Sequence, residues 1–300
     1  MSKAIARPAR KVRRLTAFDV VNGLILALLA LLCLFPFWHL LMLSFSSADA
    51  ANQGLVTLWP VDFNVKAYEM VLQRSEFWTA TLVSVERLAL GVPLQMLTTI
   101  LAAYPLSKPA SRFRYRMAFS WFFFFTMLFS GGIIPSYMLV RQLDMMDTIW
   151  ALVIPCAVPV FNVVVLMNFF RGLPSEIEEA AIVDGSSQWR IMWRIWVPLA
   201  LPSIATLTLF SLVNHWNSWF DGIIYMNRPE HYPLQSFLRT VIVKLDTSNM
   251  TMEQWKDLAG TSERTLKGAQ IMIASLPIMA FYPFLQKYFV KGITIGGVKG

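Results

Sequence analysis

The chain has 300 residues, 56% of them hydrophobic and only 15% charged, with a net charge of +8. Soluble domains of this size carry about 25% charged residues, so the composition excludes an ordinary soluble globular protein and points to one embedded in a membrane. Neither a disulfide framework nor a zinc site is expected: Cys33 and Cys156 lie inside apolar runs, and His39, His215 and His231 are far apart and lack ligand spacing.

Residues 1–19 form a basic segment holding Lys3, Arg7, Arg10, Lys11, Arg13 and Arg14. The apolar run after it resembles a secretory signal, with Ala48-Asp49-Ala50 as a cleavage-like site. Its length, from Val20 to Phe45, exceeds the 7–15 residues of a signal core, so it is read as a retained first span. Six segments reach the roughly 20 apolar residues needed to cross a bilayer core: 20–45, 79–104, 117–140, 148–170, 199–225 and 269–290. Backbone groups in lipid must be satisfied within the segment, and runs such as WFFFFTMLF do not alternate as barrel strands would. The predicted fold is an all-α integral membrane protein with six transmembrane helices over 20–290, a polar loop at 172–198 between spans four and five, and a tail at 291–300.

Short connections with lysine and arginine mark the inner side. With the N-terminus inside, that side holds the basic segment, Lys108, Arg112, Arg114, Arg116, Arg171, Arg190, Arg194, Lys287, Lys291 and Lys299, which places both termini in the cytoplasm. The long outer connections, 46–78 and 226–268, carry Trp59, Phe63, Tyr68, Phe77 and Trp78, then Tyr225, Tyr232 and Trp255, taken first as interface anchors. Glu86 and Arg87 fall inside span two; adjacent residues on a helix do not face each other, so either they have partners on other helices or the span begins later than residue 79. Gly131-Gly132 and Pro135 predict a break in span three.

The stretch EEAAIVDGSSQWRIMWRIWVP, Glu178 to Pro198, is a soluble-looking helix pair among these spans. Pro174 stops the helix before it, and Ser175 with Glu178 has capping-box spacing. Glu176, Glu178 and Glu179 complement the start of a helix, and Gly185 ends it. Ser186 or Ser187 caps a second helix running to Pro198, where Trp189, Met192, Trp193 and Trp196 form one apolar stripe beside Arg190 and Arg194. That second helix fits the membrane surface. The first does not, because its carboxylates would face anionic lipids; acidic residues beside small ones suit close docking of another, basic surface.

The spacing Glu179-Ala180-Ala181, three residues, Gly185, nine residues, Ile195, one residue, Val197-Pro198 resembles the EAA loop of ABC-importer permeases, with valine where leucine is usual. FSGGIIPSYML, PVFNVVVLMNFFRGLP, LAAYPLSK and YPFLQKYFVKGITIGGVKG resemble the MalG-like carbohydrate permeases and, within them, the LplB/YtcP-type branch, so that the likeness runs from about residue 18 to the end. The resemblance implies a heterodimer with a second permease subunit and two cytoplasmic ATPase subunits that bind ATP and Mg. It also implies an extracytoplasmic sugar-binding protein and an oligosaccharide substrate, with acidic sugars such as alginate or aldouronate fragments favoured. It assigns ATPase coupling to Glu178, Glu179, Ala180, Ala181, Asp184 and Gly185, and to Gly297 and Lys299 of the tail. The chain has no GxxxxGK[ST] phosphate loop, so it is a permease subunit rather than the ATPase.

For the substrate path, polar groups in a span usually face a cavity or another helix. Asn214, His215, Trp216, Asn217 and Trp219 in span five combine hydrogen-bonding and flat aromatic groups suited to a sugar, and Asn162 is a weaker candidate. Interhelical hydrogen bonding is the plainer reading of the asparagines. Arg87, if it faces the path, favours an acidic sugar. The alternatives are a membrane-embedded transferase, which would need a clustered acidic or histidine site, and an autonomous secondary transporter, which would show an internal repeat.

Overall fold

The structure is a computed structural model that describes residues 16–243 and 262–296, and every regular element among them is helical. The chain divides into two compact units, one within Met1–Ala67 and Lys256–Ala269, the other within Tyr68–Trp255 and Gln270–Gly300.

The smaller unit is led by α1 (Ala17–Ser44), started by a capping box in which Thr16 and Asp19 satisfy each other's backbone amides. Its 28 residues span about 42 Å at 1.5 Å per residue. Large apolar side chains from Phe18 to Phe35 are exposed along it. The short α2 (Ala48–Asn52) comes next, capped by Ser47, and buries Ala50 and Ala51. The first turns of α15 (Glu263–Gly296) pack against α1 where Gly268 meets Leu40 and Ser44, and Arg264 donates to the Ala51 carbonyl at 3.2 Å. Between α2 and the short α3 (Lys66–Leu72), Trp59 and Phe63 are exposed.

The larger unit is built around α4 (Ser75–Ser107), a 33-residue helix half buried by its neighbours. The helix starts four residues before the predicted span. Arg87 is therefore well inside it and almost wholly buried, while Glu86 is exposed. Phe77, expected at the interface, is buried, whereas Trp78 is exposed. Trp255 lies outside the described residues. The main apolar cluster joins Val92, Met96, Ile100, Ala103 and Tyr104 of α4 to Leu166 and Phe170 of α8 (Val160–Arg171) and Leu207 of α12 (Leu201–Asn217).

Three predicted spans are broken. Span three becomes α5 (Arg116–Leu128) and α6 (Ile133–Gln142), bent by 111° at the expected glycines, with Gly132 at φ 88°. Span four is not continuous either. It becomes α7 (Ile149–Val153) and α8, because Pro155 and Pro159 cannot continue a helix. The carbonyls of Cys156 and Ala157 between them accept from Gln95 Nε2 at 2.7 Å and Thr98 Oγ1 at 2.5 Å of α4. Span five divides at Ser218-Trp219 into α12 and α13 (Phe220–Tyr225). Asp221 stabilises that break by accepting from Ser218 Oγ at 2.8 Å and the Gly222 amide at 2.9 Å.

Among the described residues α1 and α4 alone are long and apolar enough to cross a membrane as single helices, and the number rises to four if each sharply bent pair is one span. The bends at glycine and proline are the reason a hydropathy count and a helix count differ here.

Gly222 of α13 has no room for a side chain: a Cβ there would overlap Ser236 Oγ and lie 2.8 Å from Pro233 Cδ. Gly222→Ala is expected to lower stability by about 1–3 kcal/mol through overpacking. Gly23→Ala on α1 meets nothing within 4 Å and is expected to be neutral or stabilising by up to about 1 kcal/mol, as alanine favours helix. Thermal unfolding of the two variants in detergent checks the contrast.

Candidate functional site

Two polar clusters lie along α4. The first surrounds Arg87. Its guanidinium makes a two-pronged ion pair with Asp221 of α13, with Nη1 donating to Oδ1 at 3.2 Å and Nη2 to Oδ2 at closer range. Its Nε donates to His215 Nδ1 at 3.2 Å, which leaves the His215 proton on Nε2. The His215 ring lies against Gly91, where a Cβ would stand 2.6 Å from Cε1; only glycine lets α4 and α12 approach there.

These residues border a cavity of about 410 Å³ lined also by Gln95, Cys156, Asn214, Asn217, Ser218, Trp219 and Phe220. Asn214 and Asn217 are exposed to it with free amide edges, and Trp219 has Arg239 stacked 4.4 Å from its ring centroid. The wall thus combines amides, a hydroxyl and aromatic rings around a charge-compensated pair. Such a surface can hydrogen-bond hydroxyl groups and pack against flat apolar faces.

Of the residues singled out for the path, Arg87, Asn214, His215, Asn217 and Trp219 converge on this cavity. Trp216 does not. It is buried on the other side of α12, where Nε1 donates to the Ala274 carbonyl of α15 at 2.9 Å. Asn162 is also away from it, donating to Ser211 Oγ at 3.2 Å and joining α8 to α12. The Arg87 charge is compensated rather than free. Asp221 was missed, although an acidic residue inside an apolar segment signals a partner of opposite sign elsewhere.

The second cluster lies where α4 ends and the polar loop begins. Here α9 (Ser175–Val183) leads through Gly185 to α10 (Gln188–Ile191), a π turn (Met192–Trp196) and α11 (Val197–Leu199). Gly185 at φ 73° makes the closing turn: its amide donates to Ile182 and that of Ser186 to Ala181, the two bonds of a Schellman motif. Ser187 caps α10 by accepting from the Arg190 amide. The second helix does not stop at Pro198 but runs through it to Leu199. A Val197 amide bond back to Met192 widens the preceding turn, and Pro198 falls in the first turn of α11.

The capping box expected of Ser175 and Glu178 does not form; Pro174 is the N-cap, without a side-chain bond. Glu178 turns inward instead. Its carboxylate pairs with Lys108 Nζ at 2.8 Å and with Arg112 Nη1 at 2.8 Å, and the Lys108 ammonium lies 3.9 Å from the Tyr104 ring centroid and 4.2 Å from that of Trp196. Burial pulls Lys108 below the ordinary lysine pKa, while its bond to Glu178 pulls it back up. Ala181 also faces inward, one turn from Glu178, whereas Glu176, Glu179, Ala180, Val183, Asp184 and Gly185 face outward. The expected single stripe of the second helix is split, because the π turn shifts the register: Met192 and Trp196 are buried, Trp189 and Trp193 exposed. Gly297 and Lys299 lie outside the described residues.

Breaking a buried pair from one side strands the other charge. Asp221→Asn, which leaves Arg87 buried without its counter-charge, is expected to lower stability by about 3 kcal/mol, the lower end for buried pairs since Asp221 keeps some solvent contact. Arg87→Met with Asp221→Leu is expected to recover most of it. Melting temperatures of the single and double variants in detergent test this.

Residues 89–295 match the family model for the binding-protein-dependent transport system inner membrane component. The chain is 40% identical over 286 residues to protein LplC of Bacillus subtilis (strain 168), covering 94% of this chain and 95% of that one. It is 36% identical over 283 residues to the polygalacturonan/rhamnogalacturonan transport system permease protein YtcP of the same organism, covering 94% and 98%. Among solved structures, a bacterial ABC transporter involved in the import of the acidic polysaccharide alginate contains a chain of the same fold. The TM-score is 0.82 at 35% identity, over 91% of this chain and 96% of that one. The chain belongs to the family of binding-protein-dependent transport inner membrane components, and it is an integral membrane permease.

Proposed function

We propose that this member of the family is one of two permease subunits of an ABC importer that carries an oligosaccharide rich in uronic acids. The observation that carries the coupling role is the division of α9 into two faces. Glu178 and Ala181 fix it to the body of the protein, while Glu176, Glu179, Ala180 and the 87% exposed Val183 remain outside. A carboxylate beside small and apolar groups on a fixed, fully exposed ridge suits a basic-rimmed cleft on another protein. That protein is a cytoplasmic ATPase, present in two copies with its own ATP and Mg, and the α9–α10 hairpin is the EAA loop that seats in it. The topology is six spans, several of them broken, with both termini cytoplasmic, and an extracytoplasmic binding protein delivers the sugar.

The substrate class rests on the relatives. The permease of polygalacturonan and rhamnogalacturonan transport and the alginate importer both concern polymers of acidic sugars. The cavity beside Arg87 supports a sugar through its amides and Trp219, and its internal Arg87–Asp221 pair leaves it neutral overall. The acidic character of the substrate is therefore not attributed to Arg87 alone.

Two measurements test this reading. Glu179→Lys reverses the charge on the exposed ridge and is expected to cut the ATPase retained on co-purification about tenfold, the effect of roughly 1.4 kcal/mol at one contact; full retention with normal uptake would remove the docking role. Asn217→Leu is expected to reduce ATP-driven uptake of oligogalacturonate or alginate oligosaccharides in proteoliposomes while leaving ATPase retention unchanged. Equal uptake of neutral maltooligosaccharides by the unaltered complex would overturn the acidic-sugar assignment.

A further inference from the structure

The geometry points to Glu178 as a positioning residue that fixes the hairpin to α4, so that α4 carries hairpin movement to the Arg87 cavity. This inference rests on the coupling role proposed above. Lys108 is the residue immediately after α4, and Arg112 comes one short turn later. Glu178 bonds both at 2.8 Å, and neither Glu178 nor Lys108 is more than 6% exposed.

The grip is not confined to one helix of the hairpin. Tyr104 Oη, one turn back on α4, donates to Gln188 Oε1 of α10 at 2.8 Å, and the ring of Trp196 from the π turn covers the Lys108 ammonium. Tyr104, Phe170 and Trp196 also meet edge to face at 5.7–6.3 Å between centroids. Arg116 donates to the Lys108 carbonyl and Arg171 to that of Leu106, which holds the end of α4 from two further sides. Both helices of the hairpin are thus held at the end of α4, α10 by Tyr104 in its last turn and α9 by Lys108 and Arg112 just beyond it.

A hairpin displaced against α4 would leave Glu178 or Lys108 as an uncompensated buried charge, the costly way to break a buried pair. Moving α4 with the hairpin avoids that cost. Arg87 lies 21 residues back along the same helix, about 32 Å at the α-helical rise. There its charge is committed to Asp221 of α13, on the far side of the break in span five. One helix therefore joins an ion pair at the cavity, made from within it by Arg87, to an ion pair at the docking element, made just past its end by Lys108.

The experiment uses the complete importer, with its partner permease and ATPases, reconstituted with binding protein. Glu178→Gln is expected to lower sugar moved per ATP hydrolysed about tenfold, an ordinary coupling energy, with the ATPase still co-purifying. The exchange Glu178→Lys with Lys108→Glu is expected to restore at least part of that ratio. A merely structural role would lower the melting temperature without changing the ratio in the molecules that remain folded. If Glu178→Gln does not fold, Arg112→Gln and Tyr104→Phe, each removing one contact of the grip, decide instead. A wild-type ratio in whichever of these variants fold overturns the inference. An unaltered chain that retains no ATPase would overturn the coupling role itself, a different result.

Discussion

A break in a helix within an apolar bundle exposes carbonyl and amide groups that only other protein groups can satisfy, and in this protein α4 supplies much of that satisfaction. Gln95 and Thr98 donate to the carbonyls freed between α7 and α8. Ser84 Oγ accepts from the Leu234 amide at the start of α14 (Leu234–Val243) at 2.7 Å. Arg87 meets the acidic residue that stabilises the break in span five, and Tyr104 meets the start of α10. Removing α4 would leave several interruptions unsatisfied at a cost of several kcal/mol each in hydrocarbon. The broken spans are possible because one long helix carries polar groups at intervals along its buried sides.

The same constraint explains what was legible in the sequence. The bend at Gly131-Gly132, the turn at Gly185 and the Ser187 cap arise from local backbone chemistry and are readable from a few adjacent residues. That Arg87 needs a partner is readable too, but not that the partner is Asp221, 134 residues away. The interruption at Pro155 and Pro159 is visible as proline, yet the surrounding residues are apolar enough to pass as one span.

The inward turn of Glu178 was hidden for a different reason. Ser175, three residues earlier, offered a local role, and Lys108 and Arg112 had an adequate explanation as markers of the inner side. Side chains of opposite charge in two separate polar loops carry no pairing signal until the helices between them are packed. Trp216 shows the converse: an aromatic group in a span suits a path, but a helix-to-helix bond occupies it, and Asn162 follows the plainer reading of a bond between helices. Asn217, the last residue of α12, and Trp219, in the break that follows, line the cavity because the helix stops beside it.

The π turn before Pro198 holds one residue more than a turn of α-helix would. Each residue turns an α-helix by about 100°, and the wider π turn takes up its extra residue without rotating α10 and α11 relative to each other. Ile191 and Trp196, five residues apart, are thereby both turned inward, and Trp196 reaches the cation at the end of α4. The extra residue is thus what places a pair spaced by five on one face of the helix. Trp193 and Arg194, carried on the exposed side of the same turn, take no part in that cover.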